Sequence, residues 1–526
     1  MDDWDAALSF VMDVRGGARQ AWWGQHNEHR LVLTRLLVYP ALTASGGRLW
    51  LLSVAALASV ALGGWLLAAI ARQDVEPRHR AEASTPWLAA CLGLMWLWSQ
   101  HETLEWGLNV TFALAMLVPT AALWVQGRGA AAGRPATHAE HAWSAVLGVA
   151  AAGTIAAGLL VLPLLALRAW STRAPNRVVL GYALVGLLTA AAYLTGYVSP
   201  VSSGSPLTAV LTAPISFGAF VCLFLGGSVR WLLGGSRAAG VAGGLAGIAY
   251  ALLWLRAGWE LRRRKPEHQA AMGLWCLATY VVLMAAVVAA GRTEVFGSLS
   301  ALASRYNTLA LWGWAALGLL ALQLDWVTPQ HWGTRHHTAI ALLCALVVLR
   351  QAASVAHTFA QGPDRSRAGL ALALHVDDAG SIQPVYPVPA RAIAIARRSE
   401  LQQLGFLAQA PFAGLRGRLG QAVGVSPLGT CRAELDIDET DDVPGPLRRI
   451  SGRLFVAAAP AASPAIAVVE DNVVAGFMMT GWPGAASVSD AGVVAELTGY
   501  ASLSPTSHAV LAWGNQACAA TVRRRP

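Results

Sequence analysis

Charge is scarce in this chain. Only 13% of its 526 residues are Asp, Glu, Lys or Arg, and 55% are apolar, whereas an average soluble domain carries about 25% charged residues. That balance excludes an ordinary soluble globule and points to a polytopic membrane protein. No CxxC or Cys/His spacing occurs, so no zinc framework is implied. Cys91, Cys222, Cys276 and Cys344 lie inside apolar runs and read as small core residues. No GxxxxGK[ST] loop is present, which argues against an ATP-driven pump. No cleavable signal pattern opens the chain, and no internal repeat or long low-complexity tract interrupts it. The formal charge of +9 sits largely in short loops between apolar runs, which fits an orientation signal and no nucleic-acid partner.

Long apolar runs are what the chain has instead. Runs at 46–72, 178–197, 238–255, 270–290, 307–325 and 337–356 are of bilayer length. Three further stretches are broken. Residues 87–126 are split by Ser99–Gly107, 143–170 by Gly153-Thr154 and Pro163, and 208–235 by Pro214 and two Gly-Gly pairs. If each broken stretch begins and ends on one side, the basic loops 72–80, 127–142, 168–177 and 256–265 share a face. The positive-inside rule makes that face cytoplasmic. The opposite face receives Glu28, the His101-Glu102 turn, Arg292 through Arg305, and everything after 357. Reporter fusions near residues 260 and 400 are therefore expected to report opposite compartments, and a shared compartment would refute this topology.

Four domains are expected: an extracytoplasmic N-terminal segment with an amphipathic helix (1–45), a polytopic transmembrane domain (46–356), a linker with amphipathic helices (357–429), and an extracytoplasmic β-sandwich-like domain (430–526). The strand-like runs of the last are Arg453–Ala459, Ala465–Glu470, Asn472–Met479 and Ala509–Trp513, separated by turn residues. The fold class is thus a mainly α membrane protein, a polytopic helical bundle with broken or re-entrant helices, plus a small C-terminal all-β extracytoplasmic domain. Cys431 and Cys518 stand alone in the polar tail; in an oxidising compartment they are expected to pair, the alternative being two separate thiols.

Polar chemistry concentrates on the proposed outer face. The stretch Trp22–Arg30 packs His26, Glu28, His29 and Arg30 into a few residues at the mouth of the apolar region. Asp2 and Asp3 precede it; Gln100-His101-Glu102, Glu105 and Trp106 form a second cluster; Arg292, Arg305 and Tyr306 form a third. The bland alternatives are a solvated helix face, a frayed terminus, a hairpin cap and an interfacial anchor. Carboxylates beside arginines suit a phosphate-bearing amphiphile. A guanidinium holds the phosphate through paired hydrogen bonds, and a carboxylate takes a proton from an acceptor hydroxyl.

Four motifs in order carry a resemblance. Gln25-His26-Asn27-Glu28-His29-Arg30 followed by Thr34-Arg35-Leu36-Leu37 is similar to an NEHR…PRLL stretch. Gln100–Asn109, Gly158–Leu165 and Ala303–Thr308 match a QxENxxWGxQ-like turn, a GLLxxPLL helix and an ASRYxT element. Together they resemble a family of bacterial membrane proteins similar to the type C glycosyltransferase superfamily. The resemblance covers about 22–310. It implies sugar transfer from a polyprenyl-phosphate donor to a cell-envelope glycan acceptor, in the bacterial cytoplasmic membrane. It also implies a catalytic acid in the first external loop. That acid is Asp2 or Asp3, with a helix upstream of Met1, or else Glu28. His26, His29, Arg30, His101, Glu102, Trp106, Arg292, Arg305 and Tyr306 are the expected substrate-binding residues, with Arg305 and Arg30 on the donor phosphate. His101 and Glu102 would orient the acceptor or a divalent metal, and no cofactor is otherwise implied. A transporter or flippase of lipid-linked glycans is the alternative, and a non-catalytic envelope scaffold a third. The near absence of ionisable groups within 46–72, 178–197 and 238–255 favours chemistry at one face.

Overall fold

The computed structural model describes residues 3–73, 81–132, 134–200, 206–234, 236–263, 269–327, 334–360, 362–425, 431–438, 443–456, 465–480, 486–489, 492–504, 508–513 and 516–525. The chain is mainly helical and forms two compact units. One contains Ala18–Ala41 and Leu49–Gln351; the other contains Met1–Gly17, Leu42–Arg48 and Ala352–Pro526. Divisions at 48/49 and 351/352 fall close to the expected 45 and 356, whereas residues 18–41 go with the bundle and 429 separates nothing. Residues 3–17 and the expected linker belong with the strands.

The first unit is a helical bundle. Among the described residues, six helices are long and apolar enough to cross a membrane: Trp50–Ala71, Gly107–Gly129, Asn176–Leu194, Pro214–Leu232, Arg237–Arg263 and Gln269–Phe296. The helix Ser304–Gln323 runs through the middle, with Leu309, Trp312, Ala316 and Leu320 at most 1% exposed. Small residues set the closest approaches. A Cβ on Gly63 would strike the Trp312 indole, and one on Gly226 would strike the Gly243 carbonyl. Close backbone approach at such positions lets apolar helices associate by packing where lipid offers no hydrophobic gain. Gly226 and Gly227, expected to interrupt the 208–235 stretch, instead lie inside the unbroken helix Pro214–Leu232. The stretch does break at Ala213-Pro214, after a short helix, Pro206–Thr212, and the long helix stops just before Gly234, whose φ is 93°. The 143–170 stretch is two short helices, His138–Ala152 and Val161–Ser171, parted at Gly153–Ile155 and a single turn at Ala156–Leu160.

Hydrogen bonds define two ends of this bundle. At one end Gln25 Nε2 donates to the Val198 carbonyl at 2.6 Å, Ser53 Oγ donates to the Glu105 carbonyl at 3.3 Å, and Ser228 Oγ donates to Asn307 Oδ1 at 3.3 Å. At the other, Gln323 donates to the Ala71 carbonyl, Arg168 Nη2 to the Gln269 carbonyl at 2.9 Å, and Trp326 Nε1 to Glu260 at 2.9 Å. Arg72, Arg128, Arg168, Arg173, Arg256 and Arg262 follow the second end in sequence. The broken stretch after Val198 begins and finishes at the first, since Val198 meets Gln25 and Ser228 meets Asn307.

The second unit is built on eight strands: β1 (Arg432–Asp438), β2 (Arg448–Val456), β3 (Ala465–Glu470), β4 (Val473–Thr480), β5 (Ala486–Ser489), β6 (Gly492–Ala501), β7 (Ala509–Trp513) and β8 (Gln516–Arg525). Their order is β2-β1-β8-β7-β3-β4-β6-β5, and β2 also pairs with β6. That extra pairing closes seven strands into a barrel and leaves β5 as an appendage on β6. The sandwich expected from the sequence is thus a closed barrel. Closure satisfies the backbone groups that a sandwich would leave at its edges. β1 and β8 run parallel; the other pairs are antiparallel.

Alternation sorts the side chains. Ala433, Leu435, Ile450, Leu454, Ile466, Val468, Met478, Leu497 and Leu511 fill one face as a buried cluster. Ala467, Val469, Phe477, Met479 and Tyr500 have the opposite parity. They pack with Leu370, Leu372, Leu374, Tyr386, Ala392 and Leu415. Residues 362–418 are therefore no linker: the helix Gly362–Ala373 packs on β4 and β6, and the helix Pro389–Leu401 packs in turn against it. The N-terminal segment joins them. Asp5 accepts from Tyr386 Oη at 2.5 Å and pairs with Arg391 at 2.7 Å, and Asp13 pairs with Arg398 at 2.7 Å.

Cys431 and Cys518 are joined as a disulfide, with Cα atoms 5.4 Å apart and 87 residues of separation. It ties the start of β1 to its parallel neighbour β8. Closing a loop of that length removes chain entropy from the unfolded state. Cys431→Ser with Cys518→Ser is expected to cost the strand-bearing unit about 4 kcal/mol, read as a shift of its denaturant midpoint. An unchanged midpoint would show that the bond adds nothing.

Candidate functional site

The site begins at a tight turn. His26 and His29 exchange two backbone hydrogen bonds, 2.8 and 2.9 Å long, around Asn27, whose φ of 48° is left-handed. Asparagine tolerates that region better than most residues. Arg30 locks the turn. Its Nε donates to the Tyr193 carbonyl at 2.7 Å, Nη1 to the Trp23 carbonyl at 2.8 Å, and Nη2 to the Thr195 carbonyl at 2.6 Å. The residue is 4% exposed and its guanidinium lies over the Trp23 ring. Arg35 does the same one turn later, donating to the Gly24 and Trp22 carbonyls. Arg30, expected on a donor phosphate, is thus a structural clamp, because backbone carbonyls engage all three of its nitrogens.

Glu28 stands at the top of this turn. Tyr193 Oη donates to its backbone carbonyl at 3.2 Å. Its Oε1 pairs with Arg292 Nη2 at 3.0 Å, from the last turns of the helix Gln269–Phe296. His29 Nε2 is 3.9 Å from the same oxygen, while His29 Nδ1 accepts from the backbone of Ala156, in the break after Gly153. Burial pushes the Glu28 carboxyl up, but His29 and Arg292 outweigh it and hold the carboxyl below its ordinary value.

The second cluster arrives on the turn between the helices Ala81–Leu94 and Val110–Ala131. Glu102 Oε2 pairs with Arg305 Nη1 at 3.0 Å. Ser304 anchors the turn: its hydroxyl donates to the Ser99 carbonyl at 2.8 Å and accepts from the Glu102 backbone at 3.2 Å. His101 Nδ1 lies 3.0 Å from the same hydroxyl. A hydroxyl carries one proton, and with it on Ser99 a neutral His101 must donate from Nδ1, leaving Nε2 as its acceptor. Asn307 Nδ2 also donates to the Ser99 carbonyl, and Thr308 bonds Thr103. Trp106 caps the end of the short helix His101–Glu105 and is half-buried.

Tyr306 links the two ion pairs. The Arg292 and Arg305 guanidinium carbons lie 5.9 and 5.3 Å from its ring centroid. The ring is 3% exposed and stacks on Phe224. Both arginines and both carboxylates keep between 17 and 26% of their side-chain surface exposed, so all four remain partly open to solvent. Glu28, His29, Arg292, His101, Glu102, Arg305 and Tyr306 therefore meet at one end of the bundle. His26 lies in the turn itself, its ring beside the Asn27 amide. Asp3 belongs to the other unit, in the helical stretch Asp3–Leu8. Asp2 lies outside the described residues.

Arg35, Tyr193, Ser99 and Asn307 have no role that the sequence alone assigns. Asn307 and Ser304 sit in the same short motif as Arg305, which was the available signal; Tyr193 and Ser99 are legible only in three dimensions. Among the described residues, no group of three or more His, Cys, Asp or Glu side chains is placed to hold a metal ion. Comparison with protein-family models, with curated proteins and with solved structures gives no match.

Proposed function

We propose that the helical unit spans a bacterial membrane and that this end carries a glycosyltransferase-like site for a polyprenyl-phosphate sugar. The observation that supports the reading most is the pair of guanidiniums, Arg292 and Arg305, on one tyrosine with a carboxylate on each. Arg292 takes the phosphate role first expected of Arg30, beside Arg305. Glu28 accepts the proton of the acceptor hydroxyl as its oxygen bonds to the anomeric carbon and the phosphate departs with the bonding electrons. Guanidiniums fixed at the departing oxygen stabilise the charge that develops there. His101 offers Nε2 to orient the acceptor, a cell-envelope glycan. The site lies at the end opposite the arginine-rich loops, which fits an extracytoplasmic face.

Purified protein in detergent, incubated with radiolabelled polyprenyl-phosphate sugars and envelope glycan fragments, is expected to yield labelled glycan. No transfer from any such donor would remove the reading. Donor crossing a vesicle membrane without transfer would establish a transporter of lipid-linked glycans in its place.

A further inference from the structure

The two arginines proposed to hold phosphate are already neutralised. Arg292 is bound to Glu28 and Arg305 to Glu102, each at 3.0 Å. An arginine in a charge-assisted pair cannot present the same N–H groups to a phosphate, and a carboxylate so engaged is a poor proton acceptor. Resting on the reading above, we infer that the two ion pairs are a latch: an anionic phosphate headgroup opens the site by replacing Glu28 on Arg292 and Glu102 on Arg305.

The geometry favours exchange over dissociation. Each guanidinium also faces the Tyr306 ring, at 5.9 and 5.3 Å, so it keeps a favourable contact while its anionic partner changes. The turns bearing the carboxylates are held independently of them. The Tyr193 hydroxyl, accepting from the Arg30 backbone, donates to the Glu28 carbonyl, and Ser304 and Asn109 fix the Glu102 backbone. Each carboxylate can therefore leave its arginine without unravelling the turn. The ion pairs are partly exposed, so the exchange is between two modest attractions and not the breaking of a buried pair.

Partner exchange has a signature that a simple binding pocket lacks. The carboxylates compete with the ligand, so removing one should tighten phosphate binding. The probe is a short-chain alkyl phosphate, titrated calorimetrically into the full-length protein in neutral detergent at fixed salt. Relative to wild type, Glu28→Gln and Glu102→Gln are each expected to bind it about fivefold tighter, and the double variant about twentyfold tighter. Arg292→Ala and Arg305→Ala are expected to bind it more weakly. Thermal unfolding of each variant establishes that it is folded. Binding that is unchanged or weakened in both glutamine variants overturns the latch while leaving the phosphate site standing. Absence of binding in wild type and variants alike overturns both the latch and the functional reading.

Discussion

On the proposed transferase reading, Glu28→Gln is expected to lower turnover by about a hundredfold or more while leaving donor affinity intact or improved. The amide keeps the shape of the side chain and can still meet Arg292, but it cannot accept a proton. General base catalysis is worth roughly 10²–10⁴ in rate. A loss in kcat without a rise in KM marks an interaction made in the transition state alone. Arg305→Ala should behave differently, raising KM as well, because the donor loses one of its two guanidiniums. The pH profile separates these roles further. In the unliganded protein Arg292 and His29 hold the Glu28 carboxyl below its ordinary value, with Tyr193, Tyr197 and Tyr306 also facing it. A base must be ionised, so kcat/KM should fall only below the usual carboxylate range. Once the donor has taken Arg292, the carboxyl loses that stabilisation and the acidic limb of kcat should move to higher pH. Glu28→Gln should abolish both limbs. Full transferase activity in folded Glu28→Gln protein would end the assignment.

Much of this site is legible because the sequence is poor in charge. With so few ionisable residues beside apolar runs, Glu28, His101, Glu102, Arg292 and Arg305 stood out one by one, and the parity of the broken stretches placed them at a common end. What could not be read was which carboxylate faces which arginine. Glu28 pairs with a residue 264 positions away, and nothing local encodes that. Arg30 misled for a related reason. A guanidinium in a polar cluster looks like a ligand group until the carbonyls of Tyr193 and Thr195, brought in by another helix, occupy it. The helices packed beside the barrel were hidden by composition. Pro389–Leu401 carries Arg391, Arg397 and Arg398 on one side, which reads as solvated linker, while Ala392, Ile395 and Ala396 form its buried face. Small residues give a weak periodic signal. Barrel closure likewise rests on β2 meeting β6, a pairing between strands that are not neighbours in sequence.

Asp378→Ala is expected to destabilise the strand-bearing unit by about 3–5 kcal/mol. The carboxylate is 3% exposed. It accepts from the Ser381 backbone and hydroxyl at 2.9 and 2.7 Å, from Arg449 Nε and Nη2 at 3.2 and 2.8 Å, and from Tyr500 Oη at 2.6 Å. Arg449 and Tyr500 are cross-strand partners on β2 and β6, the pair that closes the barrel. Asp378 caps the short helix Ala379–Ile382, so one side chain pins a covering helix to the closing seam. Removing it takes hydrogen bonds from a guanidinium and from the buried Tyr500 phenol, which costs more than the pair itself contributes. Burial pushes this carboxyl up, but the Ser381, Tyr500 and Arg449 hydrogen bonds prevail and bring it down to about 2. A carboxyl lowered on folding stabilises the fold at pH values above its unfolded pKa. That contribution should fade as pH falls from about 4 to about 2. Asp378→Asn should flatten the acid side of the stability profile, read by limited proteolysis of the full-length protein across pH. Combining Asp378→Ala with Arg449→Ala should cost less than the two singles added, since both changes remove the same shared interaction. Strict additivity would mean that the two side chains act on the fold separately and that the seam is held by packing alone.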